Sequence, residues 1–251
     1  MSRRLVAALA CRNTGSRLYG KPMQNLEKGC TILEHIIAAI RATPEIDDIV
    51  LGISEGIDNM NFIGVAKALG VGYILGDEKD VLWRLVQCGR AAKATDVFRV
   101  TTECPFPAWE LVADVWQRHL AHDNDITVTE FMPEGMCFEI YSLDALEKSH
   151  EQGSDADRSE YCSAYARRCH DQFKIEVVSP PAAWRRLDLR VTVDNPEDLA
   201  LCRHVYRALK YKAPRIPAGD VIAFLDAHPH VTALAAPFVK SDALWGHLVT
   251  P

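Results

Sequence analysis

The chain has 251 residues, 25% of them charged, and a formal net charge of −6 at pH 7. Because acidic and basic residues are interspersed, this balance argues against a general nucleic-acid-binding protein. No apolar run reaches the roughly 20 residues of a membrane span, and the first apolar run ends too early for a signal peptide. The eight cysteines include no CxxC pair, which favours free buried thiols over disulfides or a zinc site. We therefore expect a soluble, cytoplasmic protein without membrane or nucleic-acid partners.

Strands and helices alternate through the first half of the chain, beginning with a buried strand at 5–9. The further strands predicted from short apolar runs are 49–54, 72–75, 97–100 and 126–129. The helices predicted from apolar periodicity are 32–42, 58–69, 81–94 and 108–122. Thr31 and Asp80 are candidate N-caps. Such alternation is typical of a parallel sheet covered on both faces, in which ligands bind at the carboxyl ends of the strands.

The second half of the chain is less regular but contains one clear strand–helix pair. The apolar side chains of residues 189–193 alternate, as on one face of a strand. Asn195 is then a strong N-cap for a helix predicted to run to about Leu209. The remaining predictions are strands at 138–141 and 173–178, helices at 143–148, 160–169 and 218–227, a loop at 151–159 and a tail at 229–251. No linker or repeat interrupts the sequence, so we expect one domain over residues 1–251.

The loop between the first strand and the first helix is rich in cations and glycine. Arg12, Arg17 and Lys21 lie among Gly15 and Gly20. Glycine lets backbone N–H groups close around an anion, and fixed cations then neutralise its charge. This loop therefore predicts a polyphosphate site, with a surface turn carrying scattered basic residues as the alternative. The fingerprints GxGxxG and GxxxxGK[ST] are absent, so neither a dinucleotide-dependent oxidoreductase nor a P-loop NTPase is expected.

Four segments of the chain share a pattern. Residues 10–23 approximate ARxGSxRLPGKxL, with Tyr19 in place of proline, and residues 76–84 match GxxxDVLxR. Residues 99–105 approximate RxTGDCP, and residues 189–199 match LRxTVDxPEDL closely. In this order, and over most of the chain, they resemble the SpsF-like branch of the cytidylyltransferases. That branch is similar in turn to the CMP-Kdo and CMP-sialate (acylneuraminate) synthetases.

This resemblance implies a fold and a reaction. The implied fold is α/β, a three-layer α/β/α domain with a mainly parallel, partly mixed sheet, of the nucleotide-diphospho-sugar transferase (GT-A-like Rossmann) architecture. The implied enzyme is a nucleotidyltransferase that moves CMP from CTP to an acidic sugar or related acceptor for polysaccharide biosynthesis and releases pyrophosphate. Mg²⁺ is the implied cofactor. A homodimer is the implied assembly, with residues 135–178 as the dimerisation or acceptor-side region.

The resemblance also assigns roles to individual residues. Arg12, Lys21 and Asp194 are the implied catalytic residues, with Arg12 and Lys21 on the β- and γ-phosphates of CTP. Glu103 and Asp194 are the implied Mg²⁺ ligands, since that ion prefers hard oxygen donors. The implied acceptor-binding residues are Arg99, Glu139 and Glu160. The implied nucleotide-binding residues are Ala10, Cys11, Arg12, Ser16, Arg17, Lys21, Gly76, Asp80, Arg84 and Thr101.

The chain departs from the family's pattern mainly on the acceptor side. Glu103 stands where the family has aspartate and is longer by about 1.5 Å, Thr102 replaces a glycine, and Cys137 replaces an acidic residue. A histidine usual in the segment 159–163 is missing. Two alternatives stay open: a nucleotidyltransferase for another NTP or for a phosphonate or phosphorylated acceptor, and a non-catalytic nucleotide-binding homologue. Structural ion pairs are the alternative roles for Arg84, Arg99 and Glu103.

Overall fold

The computed structural model describes residues 3–159, 162–240 and 243–248. In these ranges the strands are β1 (Leu5–Cys11), β2 (Asn25–Glu27), β3 (Cys30–Thr31), β4 (Asp48–Ser54), β5 (Gly72–Gly76), β6 (Asp96–Arg99), β7 (Ile126–Thr129), β8 (Glu139–Ser142) and β9 (Ile175–Val178). The α-helices of the same ranges are α1 (Ile32–Arg41), α2 (Met60–Leu69), α3 (Val81–Ala91), α4 (Val112–Ala121), α5 (Leu143–Gln152), α6 (Ala164–Arg168), α7 (Pro196–Leu209), α8 (Ala218–Ala227) and α9 (Pro229–Thr232). Every element predicted in the first half is present within a few residues of its expected bounds.

Seven of the described strands form one sheet in the order β5-β4-β1-β6-β8-β7-β9. β1 pairs in parallel with β4 and β6, and β4 pairs in parallel with β5. β8 is antiparallel to its neighbours β6 and β7, whereas β7 is parallel to β9. Six strands of the described sheet therefore have their carboxyl ends at one edge, and the predicted mainly parallel, mixed sheet is confirmed. β2 and β3 form a separate hairpin that the sequence did not indicate.

The apolar side chains of β1 alternate between two cores, as the pleat of a strand requires. Leu5, Ala7 and Leu9 face a layer that contains α1, α2, α4, α7 and α8. Val6 and Ala8 face the opposite layer, which contains α3, α5 and α6. All five side chains are completely buried. Both faces of the sheet are thus covered by helices, and the three-layer α/β/α architecture is confirmed.

Side-chain caps define where the helices around the site begin. At α1 the Thr31 hydroxyl accepts from the backbone N–H of Glu34, whose carboxylate accepts in return from the N–H of Thr31. At α3 the Asp80 carboxylate accepts from the N–H at the third helical position, at 2.8 Å. At α7 the carboxylate of Asp198 accepts from the backbone N–H of Asn195, also at 2.8 Å. The three predicted N-caps are therefore confirmed.

The strand predicted at residues 189–193 is wrong. Of this segment only Arg190 forms a β-bridge within the described structure, in parallel with Glu134. The segment is extended, but its backbone pairs with loops rather than with the sheet. The N–H of Val193, for example, donates to the carbonyl of Glu103 at 2.9 Å. The alternation of apolar residues thus reflects burial of an extended chain. The bond from Val193 to Glu103 holds the fourth motif against the third.

The region between α5 and β9 also differs from prediction. α5 continues to Gln152, and a 3-10 turn occupies part of the expected loop, at Asp155–Arg158. The backbone N–H of Ser154 donates to the Asp157 carboxylate at 2.8 Å, which separates the turn from α5. The helix predicted at 160–169 begins only at Ala164. The first two residues of that predicted helix, including the candidate acceptor residue Glu160, lie outside the described residues.

The state of the cysteines and the length of the helices both bear on expectations drawn from the composition. All eight cysteines are free, as predicted. Burial raises the pKa of Cys88, Cys104 and Cys137 to about 12, so these thiols stay protonated at neutral pH and are poor nucleophiles. Among the described residues, no helix combines the length and the apolar character needed to cross a membrane.

His35 on α1 predicts a pH dependence of stability. Its ring packs against the rings of Phe106 and Tyr206. Burial lowers the pKa of His35 to about 4, although a hydrogen bond with the Pro105 backbone acts in the opposite direction. In the unfolded chain the pKa is about 6.5, so acidification protonates the unfolded state first. We expect the free energy of unfolding, measured with urea, to fall by about 2 kcal/mol between pH 7 and pH 5 because of His35. The His35→Leu variant should lack this contribution. Equal pH dependence in both proteins would contradict this expectation.

Candidate active site

A cleft of about 210 Å³ opens where the carboxyl ends of β1 and β6 lie. Its wall consists of the loop after β1, the first turns of α3 and the segment that ends β6. The predicted site residues in this wall are Ala10, Arg12, Ser16, Arg17, Lys21, Arg84, Arg99, Thr101 and Glu103. Five of these nine side chains are basic, so the cleft suits a polyanionic ligand.

Asn13 holds the loop after β1 in place, a role that sequence reasoning missed. It is only 4% exposed, and its backbone N–H donates to the Asn59 side chain at 2.8 Å. Its side-chain amide donates to Asn61 at 2.8 Å, and its carbonyl accepts from the N–H of Gly20, also at 2.8 Å. The loop is therefore folded back on itself and tied to the start of α2. The only signal in the sequence is that asparagine often makes such turn-forming bonds.

Gly15 is the point in this loop where a side chain cannot be added without movement. A Cβ there would lie 2.6 Å from the carbonyl oxygen of Leu18. Gly15→Ala is expected to weaken binding of CTP, the ligand that the four motifs imply, about tenfold or more, because displacing the loop backbone costs about 1–3 kcal/mol. Isothermal calorimetry measures the loss of affinity, and the same strain should lower the melting temperature by only a few degrees in a domain of this size.

The matched control for this substitution is Gly64→Ala in α2. No heavy atom outside its own helix lies within 4 Å of a Cβ built at that position. The control should therefore bind CTP as the wild type does and be equally or slightly more stable, since alanine is the better helix former. Equal CTP affinity in the two alanine variants would contradict the assigned role of the loop.

Lys21 and Asp194, which are far apart in the sequence, meet beside the cleft. The Lys21 Nζ donates to Asp194 Oδ1 at 2.6 Å, and Arg17 lies 3.2 Å from the same oxygen. Arg190 donates to the other carboxylate oxygen at 2.5 Å. Burial would raise the pKa of Asp194, but the hydrogen bond and charge of Lys21, with Arg190 and Arg17, outweigh it and lower the pKa. Asp194 is therefore ionised and surrounded by three cations.

Arg190, which pairs with Asp194, is itself almost completely buried. Besides Asp194, its guanidinium forms ion pairs with Glu134 and with Asp198, the latter at 2.9 Å. The Asp198 carboxylate also accepts from the backbone N–H of Asp194 at 3.0 Å. These carboxylates raise the pKa of Arg190 against the effect of burial. The orientation of Asp194 is thus fixed by a network of buried charges.

Glu103 lies in the wall of the cleft, next to this network. Burial raises the pKa of its carboxyl; the charge of Lys21 opposes the rise and that of Asp194 adds to it. The described residues contain no cluster of three or more His, Cys, Asp or Glu side chains arranged for a metal ion. Mg²⁺ is usually held by one or two carboxylates together with waters and substrate phosphates. Glu103 and Asp194 are therefore the residues that would hold a magnesium ion together with the phosphates of a bound nucleotide, and this metal stays a prediction.

The second motif lines the cleft through Arg84, but the guanidinium of this residue is bound by the protein's own backbone. The Arg84 side chain is 1% exposed and donates to the carbonyls of Gly52 at 2.8 Å and Cys11 at 3.3 Å. A Cβ at Gly76 would lie 2.7 Å from Arg84, so this glycine makes room for the guanidinium stem. Asp80 caps α3 and contacts His150 at 2.8 Å. Arg84 thus links β1, β4 and the loop after β5 by hydrogen bonds to carbonyls, not by the ion pair considered above.

Of the candidate acceptor residues, Arg99 lines the cleft and Glu139 lies next to it on β8, while Glu160 lies outside the described residues. Arg99 and Glu139 face each other across β6 and β8, and their side chains form an ion pair at 2.6 Å. The Thr101 hydroxyl in the wall lies 2.8 Å from the Cys104 sulfur. The Cys11 thiol is buried and points into the core. The structure therefore places the basic loop and Arg99 in one cleft, with Glu139 behind Arg99 on the neighbouring strand.

Comparisons with known proteins agree with this geometry. The family model described as Cytidylyltransferase matches residues 8–210. The spore coat polysaccharide biosynthesis protein SpsF of Bacillus subtilis is 24% identical over 226 residues, 88% of this chain and 93% of that protein. A solved cytidylyltransferase from Leptospira borgpetersenii superposes with a TM-score of 0.84 at 18% identity, over 92% of this chain and 97% of that one. CMP:2-keto-3-deoxy-manno-octonic acid synthetase, solved with CTP, superposes with a TM-score of 0.63 at 12% identity, over 82% and 99%.

Proposed function

The chain belongs to the cytidylyltransferase family, and on that premise we propose that it transfers CMP from CTP to a small acidic acceptor, with release of pyrophosphate. The resemblance read from the four motifs is confirmed by the family match over residues 8–210. The observation that carries the proposal is the basic cleft at the carboxyl ends of β1 and β6, in which Lys21 and Arg17 lie against Asp194. Fixed cations in a loop after the first strand suit a nucleoside triphosphate.

In the proposed complex the loop after β1 holds the phosphates of CTP. Arg12 and Lys21 would contact the β- and γ-phosphates, with Ser16 and Arg17 assisting. The Lys21 ammonium is bound at 2.6 Å to a carboxylate oxygen, so CTP binding exchanges one anionic oxygen for another. Charge-assisted hydrogen bonds of this kind have similar strength with carboxylate and phosphate. Asp194 keeps Arg190 as a partner when Lys21 leaves.

The proposed reaction is a displacement at the α-phosphorus. An acceptor oxygen forms the new bond to the α-phosphorus, and a hydroxyl acceptor gives up its proton to water. The bond from that phosphorus to the bridging oxygen breaks, and pyrophosphate departs with the electron pair. Because negative charge grows on the departing group, cations fixed beside it lower the barrier. Lys21 and Arg12 would supply these cations. Glu103 and Asp194 would hold Mg²⁺, which when bound neutralises further phosphate charge.

The acceptor would bind at the end of the cleft where Arg99 lies. An arginine suits a carboxylate or phosphate group on the acceptor, because its guanidinium presents paired donors in one plane. Glu139 holds this guanidinium from the opposite strand at 2.6 Å. We therefore propose an acceptor with at least one anionic group near the attacking oxygen. The name of the SpsF relative supports a product used in polysaccharide biosynthesis.

Pyrophosphate release tests this function. The protein is incubated with CTP, Mg²⁺ and a panel of 2-keto-3-deoxy sugar acids, sialic acids, phosphonates and phosphorylated small molecules, and CTP is then replaced by ATP, GTP or UTP. We expect turnover with CTP and at least one acid. CTP binding in calorimetry without turnover across the panel would contradict transfer and favour the non-catalytic homologue. Absence of CTP binding would contradict the whole proposal.

Magnesium dependence tests the two carboxylates. Glu103→Ala and Asp194→Ala are each expected to raise the Mg²⁺ concentration for half-maximal turnover by about tenfold or more, since removing groups around a metal typically costs 10–100-fold in affinity. The control is Glu197→Ala, an exposed acid at the start of α7. Turnover with an unchanged Mg²⁺ requirement in both test variants would contradict the metal assignment.

The proposal includes a homodimer in which residues 135–178 form the contact region. Its support is the family resemblance. Sedimentation velocity at several protein concentrations tests it, and a single monomeric species at all of them would contradict it.

A further inference from the structure

The segment at residues 243–248 lies against the acceptor side of the cleft, although it comes from near the carboxyl end of the sequence. Trp245 is 1% exposed and belongs to the apolar core that includes Tyr141 and Val128. So complete a burial of the largest side chain shows that the segment is part of the folded domain. Its position does not follow from the four motifs, which end at residue 199.

Trp245 forms hydrogen bonds with two buried carboxylates. Its backbone N–H donates to Glu130 at 2.7 Å, and its indole Nε1–H donates to Glu139 Oε1 at 3.0 Å. Both glutamates are 7% exposed. Burial raises the pKa of Glu130, and the N–H of Trp245 opposes that rise. Trp245 therefore supplies hydrogen bonds to carboxylate oxygens that would otherwise be costly to bury.

One of these two carboxylates connects Trp245 to the cleft. Glu139 Oε2 accepts from Arg99 Nη1 at 2.6 Å, while Glu139 Oε1 accepts from Trp245. Arg99 lines the cleft, and its side chain is 18% exposed. The opposition of Arg99 and Glu139 is set by the register of β6 and β8. That register fixes the two backbones, but the rotation of the carboxylate depends on its second partner.

We infer that Trp245 is a positioning residue for the acceptor site, which it completes by holding Glu139 and, through it, Arg99. This inference rests on the proposed function. A carboxylate held from both sides keeps the guanidinium in one orientation, which favours binding of an acceptor's carboxylate or phosphate group. Trp245 does not line the part of the cleft that would hold CTP. Trp245 therefore affects acceptor binding and leaves nucleotide binding unchanged.

Trp245→Phe tests this role, because it keeps an aromatic ring in the core but removes the indole N–H. With the panel acid that the wild type turns over fastest, we expect the KM for the acid to rise about 10-fold. A tenfold change corresponds to about 1.4 kcal/mol of lost interaction between the less firmly held Arg99 and the acceptor. The Kd for CTP, measured by calorimetry, should stay within about twofold of the wild type. Glu139→Gln, which keeps an acceptor oxygen for the indole but weakens the Arg99 pair, should show the same KM effect.

Trp184→Phe is the control, since this tryptophan packs beside Gly219 of α8 and does not line the cleft. It should leave both constants unchanged. If Trp245→Phe leaves the KM for the acid unchanged, or weakens CTP binding as much as acceptor binding, the inference is overturned while the proposed function stands. If the wild type binds CTP but turns over no acid, the proposed function fails first and the inference falls with it. The wild-type assay therefore separates the two failures.

Discussion

Replacing Lys21 by alanine is expected to lower kcat for CMP transfer by about 10²–10³-fold, the cost of removing one fixed donor that stabilises developing negative charge. Lys21 is bound to Asp194 at 2.6 Å, at the edge of the cleft where the departing pyrophosphate would lie. Its side chain is only 20% exposed, so water replaces its charge poorly. Pyrophosphate release at saturating CTP measures the effect, and circular dichroism checks that the variant is folded.

Two further variants sharpen this test. Lys21→Arg keeps the charge but changes the donor geometry, so its kcat should fall between those of the wild type and Lys21→Ala. Lys28→Ala removes an exposed lysine that does not line the cleft and should leave kcat unchanged. A Lys21→Ala variant within threefold of the wild type would show that the charge on the departing pyrophosphate is stabilised elsewhere.

Replacing Arg190 by methionine is expected to lower the free energy of unfolding by about 3–5 kcal/mol, because it leaves the fully buried carboxylate of Asp198 without its cation. The Arg190 side chain is 1% exposed and forms ion pairs with Glu134, Asp194 and Asp198. Methionine fills much of the volume but neutralises none of these charges. Since domains of this kind have total stabilities of about 5–15 kcal/mol, the change is large. Urea unfolding measures it.

Arg186→Met is the matched control for this prediction. Arg186 also pairs with two aspartates, Asp188 and Asp226, both at 2.7 Å, but its side chain is 30% exposed and both partners are at least half exposed. Surface pairs of this kind contribute about 0–1 kcal/mol. Equal destabilisation by the two substitutions would contradict a special role for the buried network.

Much of the fold could be predicted because its signals are local. The N-caps Thr31 and Asp80 and the alternating burial along β1 depend on residues within a few positions of each other. The cation-rich loop after β1 also carries its signal in composition alone. The carboxyl ends of parallel strands meet at one edge, so the predicted site residues on β1 and β6 could be expected to lie together.

Other parts of the site could not be read from the sequence. The apolar side chains of residues 189–193 alternate as in a strand, yet the backbone of this segment bonds to loops. Those partners depend on how the loops pack, which no local pattern indicates. Arg84 has the sequence context of a ligand-binding arginine, but its guanidinium is used by backbone carbonyls. Asn13 carries no motif, and its importance is visible only in the bonds that hold the loop.

The sequence by itself determined the helices and strands of the first half, their caps, the basic loop and the cytidylyltransferase family. These features arise from short-range periodicity, capping and composition. Only the tertiary structure decided where the antiparallel strand β8 enters the sheet, that Lys21 meets Asp194, and that Trp245 reaches Glu139. The last two contacts join residues 173 and 106 positions apart. They depend on which buried charges can be neutralised once the layers have packed, and no local pattern encodes that choice.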